Sequence, residues 1–180
     1  MPTHESPNNQ IQRPVLQFKI LDPRASVPAY QSAGAAGLDL AVCFPADSPQ
    51  ERMLNPGDIF LAPTGLAVAI APGFEGQVRP RSGLSVKFGI GVPNSPGTID
   101  SDYRGELKVA LINLSQQPYT LTHGTRMAQL VIAPVAMAQV VVVSELDSTV
   151  RGSGGFGSTG FAAPTGAMAE SKPQPQSKTI

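Results

Sequence analysis

The 180 residues include 18 Gly and 18 Pro, so turn-forming residues recur at short intervals along the chain. Proline removes a backbone donor and glycine weakens regular elements from within, so this mixture favours a β-rich fold with many tight connections. The runs between them suit strands. In GLDLAVCF (37–44), Leu38, Leu40, Val42 and Phe44 share one face, and Asp39, Ala41 and Cys43 share the other. VLQFKIL (15–21) has a partial period of two, and FEGQVRP (74–80) reads as a further short strand. LNPGDIFLAPTGLAVAIAPG (54–73) reads as strand, turn, strand, broken at Pro63 and Gly65. GTIDSDYRGELKVALIN (97–113) reads as a hairpin with Leu107, Val109 and Leu111 on one face. PYTLTHGTRMAQLVIAPV (118–135) gives two strands about His123-Gly124, and MAQVVVVSEL (137–146) is a final apolar run. Only SGLSVKFG (82–89) and the end of that last run suit a short helix. The expected fold is all-β, a barrel or jelly-roll-like arrangement.

Apolar residues make up 41% of the chain, enough for one domain with a real core. Charged residues are 14% and the formal net charge is zero. A long nucleic-acid surface needs a basic stripe, and none is visible, so any phosphate partner should be small and held by a few arginines. One cysteine, Cys43, excludes an internal disulfide framework and a cysteine-based zinc cluster. It reads as a small buried hydrophobe in a reducing compartment. No apolar stretch is long enough to span a membrane, and the N-terminus lacks a signal-peptide pattern. A cytoplasmic protein with no membrane partner is expected. The expected organisation is a flexible segment at 1–14, a barrel at 15–146, a Gly-rich arm at 147–160 and a disordered tail at 161–180.

Four segments carry candidate chemistry. RGSGGFGSTG (151–160) places one ring, Phe156, among glycines and serines. Its glycines match G-x-G-x-x-G, but nothing after them starts a helix, as a dinucleotide site requires. It reads either as a flexible tail or as an arm that closes over a ligand, with Arg151 and Ser158 on phosphate and Phe156 stacked on a base. PRSGLS (80–85) groups a guanidinium, a hydroxyl and glycine N–H at a strand end, which suits phosphate; an arginine before a Ser-Gly turn is also common. In GTIDSDYRG (97–105), Asp100 and Asp102 stand two apart and share a side if the segment is extended, able to bind metal or polarise a water. The plainer reading is a polar turn. Asp39 is a lone acid on an apolar strand, facing solvent, a partner subunit or a cation, with solvent the default. His4 and His123 lack the companions of a metal site.

Taken in order, AGLDLAV (36–42), PRSGLS (80–85), GTIDSDYRGELKV (97–109), GTRMAQLVI (124–132) and RGSGGFGSTG (151–160) closely resemble the five motifs of the trimeric deoxyuridine triphosphatases. The resemblance runs from about Val15 to Gly160. It implies a jelly-roll-like β-barrel homotrimer with shared active sites, hydrolysing dUTP to dUMP and pyrophosphate with Mg²⁺. By the same resemblance, Asp100 would orient and deprotonate the attacking water, and Asp39 would hold Mg²⁺ through coordinated water. Arg81, Ser82 and Gly83 would hold the phosphates, Gln129 would join the water network, and Arg151, Gly157 and Ser158 would contact the γ end. Asn94, Gly97, Thr98, Ile99 and Lys108 would select uracil, Tyr103 would pack under the deoxyribose, and Phe156 would stack on the base as a lid. Thr98 departs from the family's usual branched apolar residue, Pro96 stiffens the entry to the segment, and the twenty residues after Gly160 exceed the family's usual end. The competing readings are a dCTP deaminase of the same superfamily, which would need a glutamate near Ala110, and a non-catalytic nucleotide-binding trimer.

Overall fold

The computed structural model describes residues 13–155. They fall into two compact units, one ending at Ala138 and one beginning at Gln139. The first unit contains ten strands and one short helix: β1 (Leu16–Ile20), β2 (Leu38–Ala41), β3 (Glu51–Leu54), β4 (Ile59–Ile70), β5 (Phe74–Pro80), α1 (Ser82–Phe88), β6 (Ile90–Gly91), β7 (Gly97–Ile99), β8 (Glu106–Asn113), β9 (Tyr119–Thr122) and β10 (Arg126–Pro134). One sheet has the order β1-β4-β8-β6, a second β2-β10-β5-β7, and β3 pairs with β9. All of the strand pairings are antiparallel. This is the jelly-roll-like all-β architecture that the alternating runs led us to expect.

The core draws one face from each main sheet. On β8, Leu107, Val109 and Leu111 are fully buried and alternate with more open positions, as a half-buried strand requires. They pack with Leu40, Val78, Met127 and Leu130 of the second sheet. Asn113 continues the buried face of β8, and its amide is fully used. Nδ2 donates to the carbonyls of Leu54 (2.9 Å) and Gln117 (2.8 Å), and Oδ1 accepts from the Ser115 N–H (2.9 Å) and hydroxyl (2.8 Å). A buried amide with every group paired fixes the local register without an uncompensated desolvation cost.

Several sequence expectations change here. Pro63 and Gly65 do not break the 54–73 segment into separate strands after the Asn55–Asp58 turn. They form a bulge inside one twelve-residue strand, with the register slipping between Pro63↔Lys108 and Ala67↔Glu106. The missing ladder bonds are replaced from the side: Thr64 Oγ1 donates to the Leu107 carbonyl at 2.6 Å, and Gly65 takes φ +68°. Residues 97–113 are not a hairpin either. β7 pairs with β5 and β8 with β4 and β6, so the turn at Asp100–Gly105 carries the chain from one sheet to the other. Likewise β9 and β10 flank the His123-Gly124 turn but pair with β3 and with β2 and β5. The apolar run 137–146 forms neither strand nor helix, and Val140 (89%), Val142 (94%) and Leu146 (87%) stand exposed.

Candidate active site

Asp39 does not face solvent. It is buried at the centre of a polar cluster built by three distant segments. The strand order β2-β10-β5 sets Asp39 opposite Gln129, and Gln129 opposite Arg79. Gln129 Nε2 donates to Asp39 Oδ1 at 3.0 Å. Arg126 Nη1 donates to Oδ2 at 3.0 Å, and Arg81 Nε lies 3.3 Å from Oδ1. Arg81 Nη1 also donates to the Arg126 carbonyl at 3.1 Å. A buried carboxylate demands such partners. Two guanidiniums around one carboxylate leave a net positive cluster, suited to an anion.

Arg81 is the N-cap residue of α1, and its side chain turns away to Asp39 rather than capping the helix. Ser82 and Gly83 follow on the exposed first turn. The first intrahelical bond is made by the Leu84 N–H to the Arg81 carbonyl, at 3.1 Å. A Cβ on Gly83 would meet nothing within 4 Å, so the fold itself has no steric need for glycine there. The other end of α1 does need one: Gly89 has φ +69°, and a Cβ there would lie 2.7 Å from the Ser115 Cβ.

The second group of predicted residues gathers around a cavity of about 270 Å³ lined by Thr98, Ile99, Asp100, Tyr103 and Lys108, together with Leu61 and Glu106. Asp100 and Asp102 are exposed, and the segment is a turn closed by the Tyr103 N–H on the Asp100 carbonyl at 3.2 Å, not the extended stretch assumed from their spacing. Among the described residues, no three His, Cys, Asp or Glu side chains are grouped to hold a metal. The Tyr103 hydroxyl donates to the Glu106 carbonyl at 2.9 Å, laying the ring along Gly105 where any Cβ would collide with it. Asn94 folds its amide over Gly97, where a Cβ would lie 3.1 Å from Nδ2. A larger cavity of about 510 Å³ holds, of the predicted residues, only Lys108. It adjoins Cys43, whose thiol is pushed up by burial and is therefore a poor nucleophile, consistent with its reading as a small hydrophobe.

Within one chain the two groups do not meet. Ile99 pairs with Gly76, whereas Arg81 follows the far end of β5, five residues on from position 76. At about 3.3 Å per residue that is roughly 16 Å along the strand. In the second unit, Arg151 Nε donates to the Gly154 carbonyl at 2.8 Å, curling the start of the Gly-rich segment. Phe156, Gly157 and Ser158 lie outside the described residues.

Residues 23–160 match the family model for dUTPase. The chain belongs to the dUTPase family. It is 59% identical to a deoxyuridine 5'-triphosphate nucleotidohydrolase of Desulfotalea psychrophila over 135 residues, 75% of this chain and 87% of that protein. It is 56% identical to one from an Anaeromyxobacter strain over 138 residues, 77% and 90% of the two chains. Among solved structures, a mutant dUTPase of Staphylococcus bacteriophage 80alpha with dUpNHpp superposes with a TM-score of 0.72 at 27% identity, covering 82% of this chain and 99% of that one. A dUTPase from phage phi11 of S. aureus, described with a structural Mg(II) ion, gives a TM-score of 0.65 at 24% identity, covering 74% and 99%. The resemblance in the five motifs is thus matched by the family assignment. Two residues of this dUTPase-family site were given no role from sequence. Arg126 stood inside a quoted motif without a visible partner, and Glu106 was legible only as an opposite charge two positions from Lys108.

Proposed function

We propose that this chain hydrolyses dUTP to dUMP and pyrophosphate in a homotrimer, by attack of water on the α-phosphorus. The observation that carries the reading is the meeting of three family motifs on one buried carboxylate, Asp39, which presents Arg81 and Arg126 beside the open start of α1. In this reading Arg81, the Ser82 hydroxyl and the backbone at Gly83 bind the phosphates, and Gln129 orients water around them. Charge-assisted hydrogen bonds from guanidinium are strong and directional, so these residues fix the chain of phosphates for in-line attack.

Asp100 accepts the proton of the attacking water. Much of the rate comes from neutralising charge on the phosphates in this reading. The donor set fits Mg²⁺ held at one remove. Asp39 has three of its roughly four acceptor positions taken by Gln129, Arg126 and Arg81, which leaves room for a metal-bound water rather than the ion itself. Mg²⁺ commonly keeps several waters and takes its remaining ligands from phosphates, so a cage of three acidic side chains is not needed. When bound, it would neutralise phosphate charge. Uracil lies in the cavity at Thr98, Ile99 and Lys108, with Asn94 and Gly97 shaping its entry and Tyr103 under the deoxyribose. A site built to hydrogen-bond one base edge rejects a mismatched one by roughly 10⁴–10⁵.

The separation of Asp100 from Arg81 along β5 supports sharing between subunits: one copy supplies the base cavity and Asp100, another the Asp39 cluster. Arg151, Gly157 and Ser158 from the arm contact the γ end, and Phe156 covers the base. A pyrophosphate-release assay over dUTP, dCTP, dTTP and UTP with Mg²⁺ is expected to favour dUTP strongly, and ammonia release from dCTP would instead support the deaminase. Removing residues 151–180 should cut turnover sharply while sedimentation still reports a trimer. Full activity in that truncation would overturn the lid.

A further inference from the structure

Glu106 is the residue that joins the β4 bulge to the base cavity. The bulge leaves the Gly65 N–H without a strand partner, and Glu106 Oε1 accepts it at 3.0 Å. On the other side of the bulge, the Gly65 carbonyl accepts from the N–H groups of Leu21 (2.8 Å) and Asp22 (3.2 Å). Both backbone groups of Gly65 are thus fixed, and the Glu106 carboxylate is anchored to a rigid point. Its second oxygen lies 3.4 Å from Lys108 Nζ, two residues along β8 and on the same strand face. The Glu106 carbonyl meanwhile holds the Tyr103 hydroxyl. Lys108 is the more exposed partner of the ion pair, a flexible side chain that lines both the base cavity and the larger one.

We infer that Glu106 is a positioning residue for substrate binding: anchored on the bulge N–H of Gly65, its carboxylate holds the Lys108 ammonium in place beside the base cavity. This rests on the reading above that Lys108 contacts the base. Ordering a long cationic side chain before substrate arrives removes an entropic cost from binding. Because the effect lies in binding and not in the chemical step, it belongs in KM and not in kcat.

The test is a double-mutant cycle in the full-length protein with Glu106→Gln and Lys108→Met. Glu106→Gln keeps an acceptor for the Gly65 N–H but removes the charge that holds Lys108. Its expected signature is a KM for dUTP raised about three- to tenfold, with kcat within about twofold and the melting temperature unchanged. Lys108→Met should raise KM by a similar factor, and the double variant should be no worse than either single one. A wild-type KM for Glu106→Gln, or strictly multiplicative KM effects in the double variant, would overturn the inference. So would a loss confined to kcat. If Lys108→Met leaves KM untouched, the base-contact assignment of Lys108 fails, and the positioning role fails with it. Pyrophosphate release from dUTP by that same variant would show that the wider assignment of activity survives.

Discussion

Asp39 and Asp100 are two carboxylates of the candidate site, and the fold treats them in opposite ways. Asp39 is buried with both oxygens engaged by residues of β10 and the start of α1, so its geometry is complete within one chain. Asp100 is exposed on a turn between sheets and forms no side-chain hydrogen bond or ion pair among the described residues. A group satisfied inside its own chain is preorganised, whereas one left open to solvent is free to handle water and a second chain. In the proposed function, this contrast would let a small barrel keep a rigid cluster for the phosphates while leaving the proton acceptor uncommitted.

The largest effect should come from the open site. Asp100→Asn is expected to lower turnover by about 10²–10⁴ while leaving the melting temperature unchanged, as measured by pyrophosphate release and thermal denaturation. A comparable loss of stability would break the contrast, because it would mean that Asp100 is also a structural partner. Asp39→Ala should act on the fold as well as on the phosphate site: it leaves Arg81 and Arg126 facing each other without their anion and should cost about 1–3 kcal/mol in denaturant unfolding. The half-exposed Arg126 side chain holds the figure to that range, since solvent screens the guanidinium. Unfolding indistinguishable from wild type would show that the cluster does not hold the fold together.

A third carboxylate sharpens the comparison from the weak end. Asp22 binds Arg24 through Nη2–Oδ2 at 2.7 Å and Nε–Oδ1 at 3.1 Å, and those bonds hold its carboxyl down at about 2 from an ordinary 3.8. A lowered folded-state value means stability that is present above the unfolded value and lost as pH falls through the folded one. Arg24→Ala should therefore lower the melting temperature slightly at neutral pH. The difference should shrink between pH 4 and about 2, down to what the pH-independent bonds from Arg24 to the Phe44 carbonyl (2.6 Å) and Gln50 Oε1 (3.0 Å) contribute. A difference that does not shrink over that range would point to those two bonds, or to packing of the arginine stem, instead of the ion pair.

Much of the barrel was legible because strand burial leaves an alternating mark in the residues themselves, plainest on β8, and because Gly89 and Gly124 sit where the chain takes positive φ. The short helix at 82–88 was legible for the same local reason, with Gly89 closing it. The bulge at Pro63–Ala67 was misread as a break, since Pro and Gly signal an interruption without saying whether pairing resumes beyond it. The Asp100–Gly105 turn was misread as a hairpin because adjacency in sequence favours local pairing, and nothing local reports which sheet a strand will join. Solvent was the default for Asp39 because Arg81 and Arg126 are far from it along the chain.

By itself, then, the sequence determined what is short-range or carried in ordered motifs: strand periodicity, turn positions, the class of fold and the kinds of group the site contains. Only the tertiary structure decided which of those groups meet. Burial of Asp39 and the anchoring of Glu106 on Gly65 depend on strand order and on a two-residue slip in register, and both are set by the packing of the whole barrel rather than by any neighbour along the chain.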